Sequence, residues 1–195
     1  MTKKEVIWRE ILFQAIENKN IKGTQKELAQ KYNFSLSTVF NALKTPRQTG
    51  VLKIGGNGFE VVDTEKFLYL WATFRKFKKD IIYQTNISEP VWDIEGKMPA
   101  NVIFAAFSAV QKKYHQAPAD YDKVYVYSPE NKLSEIKIRF PEKKGYLNLI
   151  VLKADPWLVN FGLTTPDCQT FADLWNLEEW FAKDYLNFLK EKIIH

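Results

Sequence analysis

From Val6 to Ile16 the apolar residues fall at helical spacing, with Val6, Ile7, Ile11, Leu12, Ala15 and Ile16 on one side. Thr2 and Glu5 stand three apart just before that run. This is the capping-box spacing, in which the threonine hydroxyl takes an orphan backbone N–H and the glutamate reaches back to the cap. A first helix is therefore predicted to start there and to end near Asn18–Asn20. The same signature returns at Thr24 and Glu27, followed by Leu28, Ala29 and Tyr32 on one helical face. Asn33 stands where that helix must stop, and asparagine tolerates left-handed backbone angles at low cost. Phe34 is a hydrophobic plug, Ser35 is a second helix cap, and Val39 and Leu43 share an inward face. Ala29 is small enough to let the two helices cross closely. Val51–Ile54 and Phe59–Val62 are short β-favouring runs joined by Gly55-Gly56-Asn57-Gly58, whose residues accept positive φ. Two short helices, a tight turn and a hairpin in that order predict a winged helix-turn-helix.

Beyond the hairpin, Asp63 or Thr64 is expected to cap a helix from Glu65 to Lys79 whose apolar residues are Phe67, Leu68, Leu70, Trp71, Phe74 and Phe77. Its basic end, Arg75-Lys76-Phe77-Lys78-Lys79, either touches DNA or is a solvated last turn favoured by the helix dipole. Ile81–Thr85 reads as a strand and Ile87–Met98 as irregular. Pro99 is placed to open a helix that continues from Asn101 to Tyr114 and, being apolar nearly all round over Val102–Phe107, is expected to be central and buried. Lys123–Tyr127, Leu133–Phe140 and Tyr146–Leu152 read as strands, and Asp167–Trp175 and Leu177–Ile193 as closing helices. The fold class expected is α+β: a winged helix-turn-helix over residues 1–64, a connecting helix over 65–80, and a mixed α/β C-terminal domain over 81–195 with a small sheet and flanking helices.

Charge sharpens this picture. The chain has 195 residues and a net charge of +5. Residues 1–80 carry 15 Lys and Arg against 8 Asp and Glu, whereas 81–195 carry 13 against 15. The basic excess thus coincides with the expected helix-turn-helix, as a phosphate-binding footprint should. A second helix of this kind enters the major groove by its first turns. Ser37, Thr38 and Asn41 are therefore expected to face base edges, and Lys44, Arg47, Gln48 and Lys53 to contact phosphates. The partner implied is double-stranded operator DNA, bound by a monomer or a homodimer. The alternative is a protein-interaction module that uses the winged helix as a scaffold without specific DNA binding, since fold alone does not establish function. No apolar run is long enough to span a membrane. No signal-peptide core follows Met1-Thr-Lys-Lys-Glu5, and the single cysteine fits a reducing compartment, so a cytoplasmic location is expected.

The segment Phe34-Ser-Leu-Ser-Thr-Val-Phe-Asn-Ala-Leu43 resembles recognition helices of bacterial repressors, departing by Asn33 where glycine is commoner. Over residues 5–192 the chain also resembles the AbiEi-type antitoxins, regulators of type IV abortive-infection toxin–antitoxin pairs. The resemblance rests on the N-terminal winged helix, the apolar segment after Pro99, Tyr125-Val-Tyr127, and the ending Thr165-Pro-Asp-Cys-Gln-Thr-Phe-Ala-Asp-Leu-Trp175 with its Gln169 and Asp173-Leu174. It implies a transcriptional autoregulator that binds inverted repeats upstream of its own operon. It also implies functional pairing with a nucleotidyltransferase-like toxin in antiviral defence.

Enzymatic chemistry finds little support in the residues. His115 and His195 are the two histidines and Cys168 the one cysteine, too few for a zinc site. His115 is read as a helix-terminal residue. Asp120-Tyr121-Asp122 lacks the phosphate cradle that phosphoryl transfer needs. Glu135-Ile136-Lys137 has the Glu-x-Lys spacing of metal-dependent nucleases, but strand alternation alone accounts for its charges. Gly55–Gly58 lacks the strand–loop–helix surroundings of a phosphate loop. No catalytic residue, metal or cofactor is expected.

Overall fold

The computed structural model describes residues 1–56 and 58–194; Asn57 of the expected hairpin turn and the terminal His195 lie outside the described residues. The architecture is α+β. Helix α1 (Lys3–Ile16) starts at the Thr2–Glu5 capping box. After it, β1 (Lys22–Gly23) leads into α2 (Gln25–Tyr32), which starts at the Thr24–Glu27 box and stops at Asn33 in the left-handed region, φ 52°. Ser35 caps α3, Leu36–Gln48. Strands β2 (Leu52–Gly55) and β3 (Gly58–Val61) join β1 in an antiparallel sheet of order β1-β3-β2. Gly58 has φ 125°, and a Cβ there would stand 2.3 Å from the Gly23 carbonyl oxygen, so glycine is required where these strands meet.

Helix α4 (Thr64–Phe74) is capped by Asp63 and ends earlier than its apolar pattern predicts. Arg75 turns to extended angles, and Phe77–Asp80 form a 3-10 turn. The basic run after α4 is thus no final helical turn. The four-stranded second sheet has order β4-β7-β6-β5, from β4 (Ile81–Thr85), β5 (Ile103–Ala105), β6 (Val124–Ser128) and β7 (Leu149–Lys153). Strands β6 and β7 run parallel, and the outer pairs are antiparallel. On one face Tyr125, Tyr127, Ile150 and Leu152 join a core that also contains α1, α3 and α4, together with α6 (Ala106–Tyr114), α8 (Asp167–Trp175) and α9 (Ala182–Ile193). On the other, Val124, Val126, Leu149 and Val151 pack on α5 (Val91–Gly96) and α7 (Leu133–Arg139).

Four further segments differ from what their residues predict. Leu133–Phe140 is helical, not a strand, because it carries the crossover between the parallel strands β6 and β7, which no hairpin can bridge. Leu133, Ile136 and Phe140 meet the sheet at helical spacing, Ile138 points out at 82% exposure, and Glu135 pairs with Arg139 at 2.8 Å. The segment after Pro99 does not open a helix there. Ile103–Ala105 pairs with β6, and the chain enters α6 only at Ala106, whose φ of 48° makes a sharp corner. Sheet pairing outweighs helix formation for this apolar run because the strand satisfies its backbone groups against β6. Within 87–98, expected to be irregular, α5 forms and buries Ile94. The last helix starts at Ala182 rather than Leu177.

Two buried arginines tie the N-terminal helices to the rest. Arg75 donates from Nε to Asp173 at 2.9 Å and from Nη2 to Tyr127 at 2.8 Å, and Nη1 reaches Asp80 at 2.7 Å and Glu5 at 3.4 Å. Tyr127 in turn donates to Asp173 at 2.7 Å. Burial raises the Asp173 carboxyl, and Arg75 pulls against that shift. Arg9, fully buried on α1, forks onto both oxygens of Asp155 at 2.7 and 2.8 Å and donates to Gln169 at 3.0 Å. Removing one member of such a network leaves the others as uncompensated buried charge, at a cost of about 3–5 kcal/mol. Arg75→Met is expected to lower the unfolding free energy by about that amount in a urea titration. Lys78→Ala, which removes an exposed pair with Glu178, is expected to leave the midpoint unchanged.

Candidate nucleic-acid interface

The turn between α2 and α3 is seated from below. Phe34, nearly buried, stacks on Tyr32 at 5.8 Å and meets the edge of Trp157 at 5.1 Å. Tyr32 donates to the buried carboxylate of Glu10 on α1, which also holds Lys31. Burial alone would raise the Glu10 carboxyl, but bonds from Lys31, Tyr32 and Gln14 outweigh it and hold it below the ordinary glutamate value. Helix α3 faces a harder problem, since Pro46 lies inside it. A proline has no N–H for the carbonyl four residues back, which here is that of Ala42. The indole Nε1 of Trp8, fully buried on α1, donates to this Ala42 oxygen at 2.8 Å. The missing helical bond is replaced from a neighbouring helix, and α3 runs on to Gln48.

Val39, Ala42, Leu43 and Pro46 are buried, so the 100° step per residue turns Ser37, Asn41, Lys44 and Gln48 outward along one line. All four are exposed, as is Arg47 at the edge. Thr38 departs from this face. It is half-buried, and its hydroxyl pairs with that of the cap residue Ser35 at 2.9 Å. Lys53 stands apart as well. It lies on the sheet face, in the cross-strand row with Glu60 and Lys22, beside a groove of about 570 Å³ that Thr24 and Glu27 also line. The structure thus brings together five of the seven expected DNA-contacting residues. No family model, curated protein or solved structure matches this chain.

Lys3 and Lys4 were missed by sequence reasoning. Lys3 Nζ stands 5.2 Å from the Phe34 ring, and Lys4 Nζ lies over Trp8 and Phe74 at 4.9 and 4.5 Å. Lys3 therefore sits close to the start of α3, and Lys4 lies against the end of α4. Cations in the first turn of a helix oppose its dipole, and that mismatch was the available signal. Leu36 and Phe40 were missed too, exposed at 57% and 47% on the flank of α3. Burial also redistributes charge. Of the four carboxylates in residues 1–56, Glu5 and Glu10 are buried and Glu17 is half-buried against Lys113, leaving Glu27 exposed. Lys31 is the surface cation that Glu10 holds, and Lys3, Lys44 and Arg47 are exposed.

Several of the other residues weighed for chemistry have structural roles. Asp122 accepts from Tyr146 at 2.7 Å, and Lys137 lies over the Tyr83 ring at 5.2 Å. His115 is the left-handed cap of α6 at φ 53°. Cys168 is fully buried, its thiol pushed up by burial, and it donates to the Arg9 carbonyl at 3.6 Å. Gln169 and Asp173 are the buried acceptors of Arg9 and Arg75. Among the described residues no group of three or more His, Cys, Asp or Glu is arranged to hold a metal ion, and no helix is long and apolar enough to cross a membrane.

Two measurements test how α3 is seated. Trp8→Phe leaves the Ala42 carbonyl without a donor, and Pro46→Ala restores one from within the helix. In a double-mutant cycle the loss caused by Trp8→Phe is expected to shrink by about 1 kcal/mol or more in the Pro46→Ala background; purely additive effects would exclude the substitution of one donor for the other. A group whose pKa is depressed on folding adds stability above its unfolded value, and that stability is lost as pH falls through the folded value. Glu10→Gln is accordingly expected to be less stable than the parent at neutral pH and equal to it at the acid end, below the ordinary glutamate range. Parallel stability–pH curves would contradict this.

Proposed function

We propose that the chain is a sequence-specific DNA-binding transcriptional regulator, with α1–α3 and the first sheet acting as a winged helix-turn-helix and α3 as its reading helix. The observation that carries this is the outward face of α3. It presents Ser37, Asn41, Lys44 and Gln48 in line, free of any acidic residue, on a surface whose carboxylates are largely turned inward. Ser and Asn suit base edges, and Lys and Arg suit phosphates. Lys3 joins the phosphate-contacting set, and Thr38 acts through the helix cap. On this reading the partner is an operator duplex, bound by one or two copies. The resemblance to AbiEi-type antitoxins adds autoregulation and functional pairing with a nucleotidyltransferase-like toxin.

A second reading, a protein-interaction module, is favoured by one feature of the opposite charge. A cleft of about 630 Å³ is lined by Glu89, Glu95, Asp120 and Asp122 beside Trp92, which is 73% exposed. Lys97 and Lys112 pair with Glu89 and Glu95 at 2.7 and 2.8 Å, which leaves Asp120 and Asp122 to meet a basic segment of a partner.

Gel-shift titration of the full chain on its own upstream region against scrambled DNA, at about 150 mM salt where phosphate contacts alone are weak, separates the two. The regulator reading expects a specific shift. Asn41→Ala should cost about 1–3 kcal/mol and relax the preference at one position. Lys44→Ala should weaken all duplexes alike and reduce the salt slope by about 1. Equal, weak binding to both probes would leave the winged helix as a scaffold.

A further inference from the structure

Two large apolar side chains on α3 take no part in the DNA contacts proposed above, and a role for them rests on that DNA-binding reading. Leu36 and Phe40 are four residues apart, in the first half of the helix, and about half exposed. Single exposed apolar residues are ordinary. These two share one flank, alternate with Ser37 and Asn41, and lie in the part of a helix-turn-helix that enters the groove first. The Lys44 ammonium stands 5.4 Å from the Phe40 ring, and Lys3 and Arg47 are exposed nearby along the chain or fold. No carboxylate occurs in α3. An apolar partner protein has no use for this cationic surround, whereas a polyanion that also offers methyl groups matches both features.

In the major groove the thymine C5 methyl is the apolar group on a base edge, and the adenine opposite it presents the N7 and N6 pair that an asparagine side chain reads bidentately. Asn41 adjoins Phe40 in the chain and points along the outward line of the helix. We infer that α3 selects A·T steps, with Leu36 and Phe40 packing on thymine methyls and Asn41 reading a neighbouring adenine. The specificity-determining residues then include two apolar ones.

The test is selection from a randomised duplex library by the full chain. Binding of the selected duplex is then measured with each thymine of the site replaced in turn by uracil. That replacement removes the methyl and keeps the base pair. The expected result is an A·T-containing core in which one or two replacements weaken binding by about three- to five-fold, the size of one buried methyl group. Phe40→Ala, altered at a half-exposed position, should bind more weakly and lose that sensitivity; Leu36→Ala should lose it at a different step. A selected site with a G·C core, or equal methyl sensitivity in the parent and both variants, overturns the inference and leaves DNA recognition standing. Enrichment of no sequence overturns DNA recognition itself. If Phe40→Ala instead converts a dimer to a monomer in sedimentation while methyl sensitivity stays unchanged, the flank is a contact between copies of the chain and the inference falls.

Discussion

The buried guanidinium of Arg75 is the constraint on which the arrangement depends. It sits where α4 stops, and its partners come from α1, the 3-10 turn, β6 and α8. A buried arginine cannot shed its charge, so those elements must bring carboxylates and a phenol to it or the core would hold an unpaired cation. Replacing such a cluster by apolar residues of similar volume often leaves stability unchanged or improved. Its value therefore lies less in total stability than in specifying one mutual placement of the elements. Arg9 repeats the device one turn of α1 further on, with Asp155 and Gln169.

The same burial shapes the outer surface. A carboxylate that turns inward to neutralise an arginine, or to hold Lys31 and Tyr32, no longer faces solvent. The helices around α3 thereby present fewer carboxylates to solvent, while Lys31 is tied to one of those turned inward. Interior ion pairing and the charge of the exterior are one allocation of the same residues.

The features legible in the sequence are those whose causes are local. Both capping boxes, the left-handed Asn33 and the Ser35 cap depend on neighbours a few residues away, and each stands where its residue types imply. Helix α8 was legible to its ends for a related reason, with Pro166 before it and an apolar face along it. The misread segments answer to distant partners. Leu133–Phe140 satisfies a period of two and a helical period equally well, and the need to cross between parallel strands decides for the helix. The run after Pro99 is apolar enough for either state, and an open edge on β6 captures part of it. Arg75 looked like one of a string of surface cations because nothing nearby in sequence marks Asp173 as its partner. The outward face of α3 was legible from helical spacing, apart from Thr38, which local hydrogen bonding to Ser35 turns aside. Lys53 was expected on the hairpin and stands there, on β2, where the strand pleat sets it in the row with Lys22 and Glu60.

The shared core bears on how such a chain could be recombined. One set of buried side chains runs from α1, α3 and α4 into α6, α8 and one face of the second sheet. Residues 1–64 transplanted to a foreign body would carry Arg9 without Asp155 and Glu5 without Arg75. The segment that carries α3 is therefore no interchangeable head. The solvent side of α3 is open to substitution in descendants of this chain, but shuffling by domain exchange would have to bring both halves of the charge network together.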